Sequence, residues 1–154
     1  MNKSIDLCGL GNGLVDLQYE ISEEELLSLR IAKGLMTLVS EDEQAIYLEL
    51  LKEKKVHKCS GGSAANTIIG FTQFGAKAAY NTVLGNDKYG LFYASEFEEL
   101  GIDLEAELLD DTPTGTCLVL ITPDSERTML TSLGASAKFE LKNFIHFLSK
   151  LYSL

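Results

Sequence analysis

Cys59–Ser60–Gly61–Gly62–Ser63–Ala64–Ala65–Asn66–Thr67 leads without interruption into an amphipathic run that ends at Gly75. Two adjacent glycines let a backbone turn sharply and approach a ligand with no Cβ in the way. Ser63 suits the N-cap of the segment that follows, and the free N–H groups of a helix start seat oxygen-rich or anionic ligands. Asn66 then falls in the first helical turn, where its amide can both donate and accept hydrogen bonds. Such a turn suits a polyhydroxylated small molecule. An ordinary Gly-Gly turn before an ordinary helix is the other reading these residues allow.

The chain around this turn has 154 residues, enough for one domain, with 13 Lys and Arg against 23 Asp and Glu and a formal net charge of −10. That charge argues against a nucleic-acid groove or an anionic membrane as partner, since both need clustered cations. It leaves a nucleotide open, because backbone N–H groups and a magnesium ion can hold phosphates. Cys8, Cys59 and Cys117 are odd in number, far apart and form no CxxC pair. Buried free thiols in a reducing cytoplasm are expected, not a disulfide framework or a zinc site. The polar start Met1–Asn2–Lys3–Ser4–Ile5–Asp6 lacks a signal-peptide core, and no apolar run approaches the ~20 residues that span a bilayer. A soluble, cytoplasmic protein is expected.

Hydrophobic patterning predicts an alternation of strands and helices. Ile5 to Gly11 reads as a buried strand; Leu14 to Ile21 alternates, with Leu14, Asp16, Gln18 and Glu20 on one side. Ser22 and Ser40, each followed by three acids, cap helices to about Leu29 and Lys55, the second burying Ile46, Leu50 and Leu51. Leu35 to Val39 reads as a strand between them. Ala64, Ile68, Phe71 and Phe74 form the stripe of the central helix, with Gly75 as its C′ residue. A strand at Ala78 to Leu84 and a helix at Lys88 to Leu100 follow. Residues 108–132 read as antiparallel hairpins, then a helix at Glu140 to Ser149 and a strand-like start at Lys150–Leu154. The alternating part predicts a parallel sheet with helical crossovers. Strands near 14–21, 35–39 and 108–132 are left over for one small side sheet.

Few constellations carry chemistry. Gly9–Leu10–Gly11–Asn12–Gly13 starts a dinucleotide-binding pattern, but Leu14 stands where its third glycine belongs, and a strand follows in place of a helix. A nicotinamide-dependent enzyme therefore rests on that turn alone. The same residues could instead deliver Asn12 and Asp16 to a cleft, where the carboxylate accepts bonds from two neighbouring sugar hydroxyls; a solvated strand face is the bland alternative. Asp87, in Gly85–Asn86–Asp87–Lys88–Tyr89–Gly90, reads as a helix cap, and Thr112–Pro113–Thr114–Gly115–Thr116 as turn chemistry. Glu126–Arg127 reads as a hairpin-tip surface pair. His57, in a basic patch, and His146 are isolated from any nucleophile or metal-ligand spacing, and there is no P-loop.

Taken in order, these pieces resemble the N-terminal half of the PfkB (ribokinase-like) family of sugar and nucleoside kinases. The matching elements are Gly11–Asn12–Gly13–Leu14–Val15–Asp16, Gly61–Gly62–Ser63–Ala64–Ala65–Asn66, Gly75, Gly85 through Gly90, Thr114–Gly115–Thr116, Glu126–Arg127–Thr128 and Gly134–Ala135. The Gly-Asn-x-Leu-x-Asp at the first strand is more similar to the adenosine kinase branch. One position departs: Ile68 stands where the family usually has a small residue.

The resemblance implies an α/β, ribokinase-like fold: a partial Rossmann-type parallel sheet with helical crossovers plus a small β-sheet lid, the C-terminal half missing. It implies substrate contacts from Asn12, Leu14, Asp16, Gly61, Gly62 and Asn66, and transfer of the γ-phosphate of ATP, with Mg2+, to a sugar or nucleoside hydroxyl. The family's Gly-Ala-Gly-Asp base segment and Asn-x-x-Glu magnesium segment are absent from these 154 residues. The base is expected beyond Leu154, with the ATP and magnesium sites outside this chain, so the chain alone is expected to be inactive. The alternative is a non-catalytic sugar- or nucleoside-binding or oligomerisation module, dimerising through its lid or pairing with a C-terminal half.

Overall fold

A computed structural model describes residues 5–152, so residues 1–4 of the polar N-terminus, and residues 153–154 of the strand expected at the C-terminus, lie outside the described residues. The chain forms β1 (Leu7–Leu10), β2 (Leu14–Glu20), α1 (Glu23–Ser28), β3 (Met36–Leu38), α2 (Glu41–Leu50), β4 (His57–Gly61) and α3 (Ser63–Gln73). It continues with β5 (Ala78–Gly85), α4 (Lys88–Glu99), β6 (Asp103–Leu109), β7 (Thr114–Ile121), β8 (Arg127–Gly134), a 3-10 turn at Ala135–Lys138 and α5 (Leu141–Tyr152).

Two sheets result. One is parallel, in the order β1-β5-β6; the other is mixed, in the order β3-β8-β7-β2-β4. β5 is central in the first, and every one of its residues is buried. Its apolar, small and β-branched composition suits a strand covered on both faces. Tyr80 and Leu84 on one face join Ile68 of α3 and Tyr93 and Phe97 of α4 in the core. Each such buried large side chain contributes roughly 1.5–3 kcal/mol.

The mixed sheet alternates as a half-exposed sheet should. Val15, Leu17 and Tyr19 of β2 are buried in the core, while Asp16 and Gln18 on the opposite face are only half-buried. β2 pairs antiparallel with β4 and parallel with β7, and β7 and β8 form the antiparallel hairpin. The tip turns at Ser125, whose φ is 66°. The seam between the sheets is stitched at Asp87, the N-cap of α4. Its Oδ1 accepts from Tyr89 N and Gly90 N at 2.9 Å each and from Thr114 Oγ1 at 2.8 Å, and its Oδ2 accepts from Thr114 N at 2.8 Å.

Several expectations are corrected. β6 pairs in parallel with β5, so Leu108 and Leu109 end a core strand and do not begin a lid hairpin. β4 was hidden because His57 and Lys58 read as a solvated basic patch; both are exposed, and pairing with β2 orders them. α2 ends at Leu50, with Ile46 63% and Leu50 64% exposed. Its inward stripe is instead Gln44, Tyr47, Leu48 and Leu51, because buried Gln44 donates to Leu130 O (2.8 Å) and Thr116 O (3.1 Å) and accepts from Thr116 Oγ1. Phe71 and Phe74 of the α3 stripe are exposed, Phe74 to 94%, leaving Ala65 and Ile68 as its buried residues. The strand-like start at Lys150 is the last turn of α5, a helix that packs on β5 and buries Phe147. Cys8 is exposed, not buried, and all three cysteines are free thiols. Among the described residues, no helix is long and apolar enough to cross a membrane.

Candidate functional site

The chain crosses from the first sheet to the second through the turn at Gly11–Asn12–Gly13. Gly13 lies close against β5, where a Cβ would fall 2.6 Å from Leu84 Cδ2 and 2.9 Å from Thr82 Oγ1. The crossing leaves Asn12 exposed at the mouth of a cleft and sets Leu14 and Asp16 on one face of β2. Opposite Leu14 on β4 lies Gly61, and Asp16 is flanked in register by Cys59 on β4 and Cys117 on β7.

The second turn is Gly61–Gly62. Gly62, not Ser63, is the N-cap of α3, with φ 108° and no side-chain cap. A Cβ at Gly62 would lie 2.3 Å from Asn12 O, so the two turns touch and only glycine fits. Asn66 sits one turn into α3, its N–H bonded to Gly62 O at 2.8 Å, and its side chain is exposed to the cleft.

Between the mixed sheet and the start of α3 opens a cleft of about 700 Å³, lined by Gly11, Asn12, Leu14, Asp16, Gly62, Ser63, Ala64 and Asn66. Five of the six residues singled out from sequence are therefore brought together there. Gly61 is the exception: it lies beside the cleft, under Asp16. The far wall is Met36 and Leu38 of β3, Met129, Thr131 and Leu133 of β8, and Cys117 of β7. None of these wall residues was singled out. Their period-2 spacing (36, 38 and 129, 131, 133) was the available signal, but it points into a cleft only once the β3–β8 pairing and its register are known.

Asp16 is the chemical centre. Burial pushes its carboxyl up to about 6, partly offset by the positive charge of Arg127. Among the described residues no protein donor hydrogen-bonds to that carboxylate, so its acceptor capacity faces the cleft. Arg127 thus faces Asp16 electrostatically, and no ion pair with Glu126 forms among the described residues. Burial also raises the Cys117 thiol to about 11, and the thiol accepts a hydrogen bond from Thr131 Oγ1 at 3.3 Å, so it stays neutral. His57 lies on β4 outside this cleft, and His146 sits on α5 beside Glu105 at 3.5 Å. Among the described residues, no group of His, Cys, Asp or Glu side chains could hold a metal ion. A half-buried carboxylate and two amides facing an apolar wall can bind a molecule with adjacent hydroxyls on one side and a flat apolar body on the other.

Residues 29–153 match the family model described as pfkB family carbohydrate kinase. Adenosine kinase of Saccharomyces cerevisiae is 30% identical over 136 residues, covering 84% of this chain and 40% of that protein. Adenosine kinase of Dictyostelium discoideum is 30% identical over 142 residues, 90% of this chain and 41% of that protein. Among solved structures, adenosine kinase from Sinorhizobium meliloti superposes with a TM-score of 0.82 at 29% identity, over 90% of this chain and 42% of its own. A probable sugar kinase from Rhizobium etli gives a TM-score of 0.82 at 27% identity, over 93% and 43%. The chain spans about 40% of the length of the curated relatives it matches.

Proposed function

Because the chain belongs to the pfkB family of carbohydrate kinases, nearest its adenosine kinase branch, we propose that it carries the substrate side of a nucleoside kinase. The reaction is ATP-dependent phosphoryl transfer to a substrate hydroxyl. One observation carries this reading: the half-buried Asp16 carboxylate, which no donor among the described residues engages, faces four apolar lid side chains, Met36, Leu38, Met129 and Leu133, across one cleft.

Asp16, when charged, accepts hydrogen bonds from two adjacent ribose hydroxyls, a geometry that a carboxylate's two oxygens match. Asn12 and Asn66 bond the remaining sugar oxygens, and Gly62 lets the sugar approach the backbone. The Met and Leu side chains of the mixed sheet, acting as the lid, cover the base and exclude water from the sugar. A free sugar fills the polar side of such a cleft and leaves the apolar wall bare.

The residues present do not fit an ATP–magnesium site. The 154 residues contain neither Gly-Ala-Gly-Asp nor Asn-x-x-Glu. These residues by themselves therefore bind substrate without turning it over. Titration calorimetry with adenosine and with ribose tests the reading. Binding of adenosine well ahead of ribose is expected; no heat with either, or ATP-dependent phosphorylation by the purified 154 residues, would overturn it.

A second reading is a binding or oligomerisation module that pairs through an open sheet edge. Among the described residues β1 pairs only with β5, and Leu10 on it is 46% exposed. Such an edge recruits another strand. Light scattering showing a monomer at all concentrations would count against this reading.

A further inference from the structure

The strand register carries one row of side chains straight across the mixed sheet. Asp16 of β2 pairs with Cys59 of β4 and Cys117 of β7; Cys117 pairs with Thr131 of β8, and Thr131 with Leu38 of β3. Paired residues share a face of the sheet, and Asp16, Cys117, Thr131 and Leu38 of this row all line the cleft. Thr131 stands two strands from Asp16, roughly 10 Å away at ~4.8 Å per strand. That matches the reach of a purine nucleoside from its paired ribose hydroxyls to the far edge of its base.

Thr131 is the exception in its wall. Its neighbours there are Met36, Leu38, Met129, Leu133 and Cys117, and of these six far-wall residues Thr131 alone carries a side-chain oxygen. Thr131 and Cys117 are each only 5% exposed. The Thr131 hydroxyl donates to Cys117 Sγ at 3.3 Å. Its proton is spent on the thiol, and among the described residues no donor reaches its lone pairs. A hydroxyl held in this way is an acceptor set into an apolar wall.

We propose that Thr131 is a specificity-determining residue for the base: its hydroxyl accepts a hydrogen bond from an amino group on the base edge, while Cys117 holds its proton. The Met and Leu side chains around it grip any flat base alike. The hydroxyl separates bases that carry an amino donor from those that do not. A base without that donor strips water from the lone pairs and returns no hydrogen bond, which costs more than a missing contact. This role rests on the nucleoside reading above and names what selects within it.

The test is titration calorimetry with adenosine and with purine riboside, which lacks only the amino group. The wild type is expected to bind adenosine about tenfold tighter. Thr131→Val keeps the shape but removes the oxygen, and should bring the two affinities within about twofold of each other. Thr131→Ser keeps the oxygen and should preserve the preference; thermal melts check that both variants are folded. Equal binding of the two nucleosides by the wild type, or a preference that survives Thr131→Val, overturns the role of Thr131 and leaves the nucleoside reading standing. Binding of neither nucleoside overturns both.

Discussion

The Asp16 carboxylate occupies the space that a side chain on Gly61 would need: a Cβ at Gly61 falls 2.3 Å from Asp16 Oδ1 and 2.6 Å from its Cγ. The acid is therefore shaped by its neighbour across the β2–β4 pair, and Gly61 acts without lining the cleft.

Gly61→Ala should displace Asp16 and abolish nucleoside binding while costing about 1–3 kcal/mol of stability through overpacking. Calorimetry and a denaturant melt check the two effects separately. Full affinity in the alanine variant would show that Asp16 does not need its present position.

Gly62→Ala is harsher. It forces a Cβ into φ 108° and to within 2.3 Å of Asn12 O, for a cost of about 2–4 kcal/mol. Gly70 is the internal control: it lies within α3 and a Cβ there meets nothing within 4 Å, so Gly70→Ala should stabilise by about 0.5–1 kcal/mol. A urea midpoint raised by Gly62→Ala would contradict the first assignment, and one lowered by Gly70→Ala the second.

Asp16 should oppose folding above neutral pH. Its folded pKa, about 6, stands above the unfolded value of 3.8, so the native state binds the extra proton between those values. Its contribution favours folding below pH 4 and is lost as pH rises through 6. Asp16→Asn should therefore stabilise the fold at pH 7.5 by about 1–2 kcal/mol and do little at pH 4, while losing ligand. Melts at the two pH values read this directly.

Asp87 works the other way. Burial would raise its carboxyl, but hydrogen bonds from Gly90, Thr114 and Tyr89 outweigh that and hold it below the usual aspartate value. It stabilises the fold above its unfolded pKa of 3.8, and that help fades as pH falls through the lower folded value. Asp87→Ala should cost about 1–3 kcal/mol at pH 7 by uncapping α4 and freeing Thr114.

Much of this was legible in the residues. Capping boxes at Ser22 and Ser40 formed as their Ser-x-x-Glu spacing predicts, and the alternation of β2 placed Asp16 opposite the buried face. The lid strands and their gathering into one side sheet were visible, but their order and register were not, because pairing β2 with β7 joins residues about a hundred positions apart through packing that no local pattern encodes. Leu108 and Leu109 looked like a hairpin arm because a parallel core strand and a hairpin arm share the same short apolar run. The α2 face was misread because its key inward residue is Gln44, a polar side chain made compatible with burial only by the β7–β8 carbonyls and the Thr116 hydroxyl. The Met36, Leu38, Met129 and Leu133 wall was invisible for the same reason: it exists only between strands.

The most direct test of Asp16 as the hydroxyl-binding group is its own titration, followed by carboxyl-carbon NMR with and without saturating adenosine. The account predicts a pKa near 6 in the free protein, lowered on binding because ribose hydroxyls donate to the charged form. A titration curve unmoved by saturating adenosine would contradict it.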